Sequence, residues 1–212
     1  GKEGAEMSLI YPLTLPSHKF ARVTITGRSA VASNRSPFSF AQQTYVHPGQ
    51  MWRASVELPR ALTREQAQPW ISTLLGLNGK EGTFLLGDPL ASVPLGSALG
   101  DPVVDGSGQS GGTLNTRGWS AGEAGVLLAG DYLQVGSGST TRLYMALHDV
   151  DSDASGMAAI NIWPNLRESP QDGQLLTLSN ARGVFRLASN RRAYAIEHPY
   201  FYRVSFDAVE AL

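Results

Sequence analysis

Between residues 130 and 167 short apolar segments alternate with Gly/Asp/Ser turns, and this pattern commits the chain to β-structure more firmly than any other feature. Tyr132, Leu133 and Val135 precede a Gly-Ser-Gly-Ser turn. Leu143, Met145 and Leu147 then recur at a period of two, which places every second side chain on one face of a sheet. A turn is expected over 151–156, followed by a strand over 157–163 that Pro164 ends by withholding the N–H of a continuing ladder. Such a stretch builds a wall; it gathers no reactive side chains.

The rest of the chain is punctuated in the same way. Over 20–26, Ala21, Val23 and Ile25 share one face while Arg22, Thr24 and Thr26 share the other; Phe38, Phe40 and Tyr45 point to a second strand. Over 52–58, Trp52, Ala54, Val56 and Leu58 alternate with Arg53, Ser55 and Glu57, a half-buried strand with one wet face. One helix is expected over 63–77, where Ala67, Trp70, Ile71, Leu74 and Leu75 form a single apolar stripe and Thr63 with Gln66 has capping-box spacing. Pro69 implies either a bend or an effective start near Gln68, and Gly76 and Gly79 bracket the end. Residues 87–125 shift to Gly, Ser, Pro and Asp and read as a boundary. Tyr200, Tyr202, Val204 and Phe206 alternate again, as in a strand closing the N-terminal sheet. The expected fold is therefore mostly β: a β-sandwich-like body from residues 7–98 and 182–212 with one α-helix, and a small β-barrel inserted as residues 99–181. Residues 1–6, GKEGAE, have no periodicity and read as an expression remnant.

Composition narrows the function classes. With 212 residues and 42% hydrophobic content the chain can bury a core, and with 17 basic against 18 acidic residues it lacks the basic stripe that nucleic acid requires. The absence of cysteine excludes disulfides, thiolate zinc sites and cysteine nucleophiles. No apolar run approaches the roughly 20 residues of a membrane span, and the N-terminus lacks the order of a signal peptide.

Each chemical motif has a simpler structural reading. Gly106, Gly108 and Gly111 match G-x-G-x-x-G but lack the buried strand before and the helix after that a dinucleotide site needs, so they read as a glycine loop. Asp149, Asp151 and Asp153 imitate the start of a calcium loop, yet Ala154 and Ile160 stand where glycine and the bidentate glutamate belong. His18, His47, His148 and His198 are dispersed, and no serine elbow is present. No catalytic residue, metal ligand or cofactor site is assigned. Trp119 in a Gly-rich loop and Trp163 at a strand end remain candidates for a glycan-stacking platform, the alternative being a carbohydrate-binding module.

The ordered series AGD-aromatic-hydrophobic-Q-hydrophobic-G, a Leu-Tyr strand, DASG, NIWPNLR, DG and FRLA, preceded by PGQMWRASVELP, LNG and GTFLLGDP, resembles the distal-tail or minor-tail proteins of long-tailed bacteriophages, prophages and gene transfer agents. The resemblance covers about residues 15–187. It implies a non-enzymatic virion component, made in the bacterial cytoplasm and carried in the tail, that joins tail tube to baseplate hub as a homo-oligomeric ring of six copies. Arg28, Arg35, Phe38 and Phe40 combine residue types that interfaces enrich and are the expected assembly contacts; the competing expectation is a hairpin whose phenylalanines turn into the core.

Overall fold

The computed structural model describes residues 9–17 and 20–212, and the expectation for residues 1–6 lies outside them. In chain order the first elements are β1 (Leu13–Thr14), β2 (Arg22–Arg35), β3 (Gln42–Glu57), α1 (Arg64–Gly76) and β4 (Thr83–Leu86). Next come β5 (Gly100–Val104), β6 (Gly111–Trp119), β7 (Tyr132–Val135), β8 (Arg142–Ala146), β9 (Met157–Leu166) and β10 (Leu176–Thr177). The chain ends with β11 (Gly183–Leu187), β12 (Tyr194–Glu197) and β13 (Phe201–Glu210). The structure is mostly β, with one α-helix among the described residues and two sheets.

The first sheet has the order β1-β4-β11-β13-β3-β2, with β12 paired to β13. Its register aligns Phe206 with Val56 and Ala208 with Ala54, all buried, while Arg53 and Glu57 face solvent. The dry face is covered by α1 at one end, where Trp70 packs on Phe20 and Phe206 at centroid distances of 5.7 and 6.2 Å. Strand β8 of the second sheet covers the other end through Leu143. Helix and barrel wall together thus supply the second layer that a one-sided sheet must find.

The second sheet, β10-β7-β8-β9-β6-β5, curls until Val103 bridges Leu175 and Val104 N–H donates to Gln174 O at 2.9 Å, a nearly closed barrel. Its core holds Leu114, Trp119, Leu133, Tyr144 and Ile160. The inward and outward connectors run side by side: Asn180 N–H donates to Ser92 O at 2.9 Å. The buried Asp131 carboxylate accepts from the N–H groups of Leu95, Gly96 and Leu128 at 2.6, 2.9 and 2.8 Å.

Several local expectations need correction. Strand β8 has two dry faces, Leu143 joining the body core while Tyr144 and Ala146 fill the barrel, so period two breaks down and Leu147 lies exposed beyond the strand. Pro164 does not end β9. The strand continues to Leu166 because an irregular register between Gly111 and Thr113 of β6 accommodates the missing N–H. Helix α1 starts at Arg64, not near Gln68, since Gln66 Oε1 accepts Thr63 N–H at 3.1 Å and Pro69 sits on an exposed side of the helix. Residues 87–125 contain β5 and β6, and Gly106, Gly108 and Gly111, at φ of 83°, 81° and 82°, shape the turn between them.

Candidate functional site

The expected short strands over 20–26 and 52–58 are the inner ends of one long hairpin. Strand β2 has 14 residues and β3 has 16, but β13 pairs with β3 only between Arg53 and Glu57. Beyond Gly27 and Trp52 two strands continue without a third, and residues 26–35 and 42–49 are all exposed. From Ser29 to the turn this arm reaches about 20 Å, at roughly 3.3 Å per residue. A two-stranded ribbon is marginal in water without packing.

The expected second strand around Phe38 and Phe40 is instead the turn at the arm's tip. Ser36 N–H donates to Ala41 O at 2.9 Å, Phe40 N–H to Ser36 O at 3.0 Å, and Ser36 Oγ accepts from the N–H groups of Phe38 and Ser39 at 3.3 Å. Phe38 is 95% exposed and Phe40 66%, and the Arg35 guanidinium lies over the Phe40 ring at 4.8 Å. Phe40 holds φ of 58°, a left-handed conformation that costs a non-glycine residue about 1–2 kcal/mol. Arg28 and Arg35 are exposed on the arm. Val31, Tyr45 and Val46 are exposed with them; Tyr45 lies on β3 as part of the arm, and nothing in the sequence singles out Val31 or Val46, because an arm wet on both faces has no burial pattern to announce it. Charge does announce it: between Met7 and Val56 the sequence has Lys19, Arg22, Arg28, Arg35 and Arg53 and no Asp or Glu.

The arm's root, by contrast, is clamped. The Trp52 indole N–H donates to Leu143 O at 3.0 Å, and its ring meets Trp163 edge-on at 4.3 Å. Trp163 presses on Gly27 so closely that a Cβ there would lie 2.7 Å from its ring. Asn165 N–H donates to Gln50 Oε1 at 2.7 Å, and Trp52 N–H to Glu210 Oε2 at 3.0 Å, which Arg167 pairs at 3.1 Å. Trp163 is therefore a packing residue of this seam. Trp119 is 4% exposed in the barrel core, with its indole N–H on Thr116 Oγ1 at 2.8 Å. Trp119 thus offers no open ring face for sugar stacking, while the partly buried Trp163 packs its ring against Trp52 and Gly27.

The acidic turn is occupied by its own backbone. Asp149 accepts Ala129 N–H at 2.8 Å, Asp151 accepts Gly125 N–H at 2.7 Å, and Asp153 accepts from Ser155 and Met157 at 2.8 and 2.9 Å. Asp149 and Asp151 are thus directed to the 125–129 loop and Asp153 to its own turn, so the three carboxylates are taken up by backbone N–H groups at separate places. A second apolar surface flanks the arm's root: Phe20, Val23, Ile25, Leu90, Tyr132 and Asp88 line a groove of about 930 Å³ together with Ala21, Arg22 and Pro89. Burial, followed by the charge of Asp88, pushes the Tyr132 hydroxyl above its ordinary pKa. The loop carrying Leu90 falls in the stretch whose composition reads as a boundary, and its exposed Leu90, Val93 and Leu95 are not evident from that composition. No protein-family model and no curated protein matches the sequence.

Proposed function

We propose that the chain is a non-enzymatic building block of a phage or prophage tail tip, a distal-tail protein that joins tube to hub as a homo-oligomeric ring. The single observation carrying this reading is the arm: a long exposed ribbon, cationic and tipped with two phenylalanines, held rigidly at its root by a tryptophan seam. Such a surface is costly for a protein that works alone, because it exposes apolar side chains and free strand edges. The ordered motifs resembling tail proteins supply the virion context, with tail-tube and hub proteins as neighbours. Among the described residues no helix is long and apolar enough to cross a membrane.

Mass measurement by light scattering tests the proposal. The protein is expected to form a closed particle of a fixed multiple of its 22.7 kDa mass. A variant in which an Asn-Gly turn replaces residues 30–49, keeping the Ser29–Gln50 pair and the Gln50 contact to Asn165, should keep its melting temperature and remain monomeric. A wild-type protein that stays monomeric at every concentration, or a shortened variant that assembles equally well, contradicts the reading.

A further inference from the structure

Three surfaces stand without a partner: the arm tip, the groove at the root of β2, and a pocket of about 250 Å³ between α1 and β12–β13 lined by Leu74, Leu75, Tyr194, Arg191, Arg192 and Asp207, among others. Charge separates the last two as receivers for the arm. The arm presents Arg35 beside Phe38 and Phe40, so the pocket, with Arg191 and Arg192 against the single Asp207, opposes it with a net like charge. The groove balances Asp88 against Arg22 within an otherwise apolar lining, so it carries no net positive charge, and neither Asp88 nor Arg35 makes an ion pair among the described residues. Its volume lies toward the upper end of the roughly 300–1,000 Å³ of ligand clefts, room for aromatic side chains rather than for an ion.

We propose that this groove is the acceptor for the arm tip of a second copy, with Phe38 seated against Val23, Ile25 and Leu90 and Arg35 paired to Asp88. The inference rests on the ring reading and adds the surface that receives the arm. The occupant cannot be the same copy's tip: Ile25 lies eleven residues before Ser36 on a paired, extended strand, so the tip is held roughly 35 Å away. Donor and acceptor are different surfaces, so the contact is heterologous and each copy uses both, the arrangement that propagates around a ring.

A charge exchange tests this at the pair. Arg35→Glu and Asp88→Arg should each weaken association about tenfold or more, and the double variant should recover most of the loss. Asp88→Asn serves as a milder variant that keeps the Oδ1 acceptor of Leu90 N–H, at 2.9 Å, in case the arginine disturbs the loop. Arg191→Glu, an equal change of net charge at the other pocket, should leave association unchanged. Melting temperatures confirm that each variant folds. Wild type assembling while Arg35→Glu, Asp88→Arg and Asp88→Asn assemble equally well overturns the groove and leaves the ring standing. Folded single variants that fail, with no recovery in the double variant, overturn the pairing. A wild type that never assembles removes the ring and the groove together.

Discussion

The inner and outer halves of the β2–β3 hairpin are made from the same two strands and live in opposite environments. In the inner half Val56 and Ala54 are buried against β13, and Trp52 is enclosed by Trp163, Tyr132 and Leu143. In the outer half Val31 and Val46, partners in the same ladder, are exposed. Between the two halves the ladder passes a register shift at Ser29/Val31 and leaves the core behind. Under the proposed assembly the outer half finds its packing partner in another copy, whereas the inner half is completed within the subunit.

The largest test of that contrast lies at the seam. Replacing Arg167 by Ala leaves the Glu210 carboxylate, almost wholly buried, with no cation, and about 3–5 kcal/mol of stability should be lost in chemical denaturation. Next is Gly27→Val, which drives a side chain into the Trp163 ring and should cost about 1–3 kcal/mol. Because it loosens the arm's root, it should also weaken assembly, whereas an equally destabilising cavity at Leu114 in the barrel core should not. Phe40→Gly relieves the left-handed backbone and should raise the monomer's stability by about 1 kcal/mol while weakening association, a separation of the two properties that an ordinary hairpin turn would not show.

The smallest effect belongs to the barrel's closing edge. Hydrogen bonds from the Arg117 guanidinium, then from Gly106 N–H, hold the Asp172 carboxyl below the usual carboxylate range. Its stabilising contribution is present above the unfolded-state pKa of aspartate, about 4, and is lost as pH falls through the lower folded value. Asp172→Asn should slightly lower the melting temperature at neutral pH and merge with wild type in acid, so that the acid limb of the profile flattens, with assembly untouched.

Legibility in the sequence followed burial. Period-two alternation identified β3 and β13 where one face is dry and the other wet, and the 3.6-residue stripe together with Thr63 and Gln66 identified α1. It located β8 but not that strand's second dry face, and it failed on the outer arm, which is wet on both. Glycine-rich composition over 87–125 concealed β5 and β6, because tight turns raise glycine content without abolishing the strands between them. Trp119 drew attention by its neighbours' composition, yet its place in the core depends on β6 pairing with β9, a contact local sequence does not encode. Arg28, Arg35, Phe38 and Phe40 were selected for residue type alone; what type could not supply was the ribbon that carries them away from the body.

Hydrogen exchange read by mass spectrometry, at concentrations below and above association, tests most directly whether the outer half finds its partner in another copy. Amides in residues 29–50 should exchange quickly in the dilute monomer and become protected in the assembled state, with the groove around Val23, Ile25 and Leu90 gaining protection alongside them while α1 and β13 stay constant. Equal exchange across residues 29–50 at both concentrations, in samples whose mass shows assembly, would contradict the account.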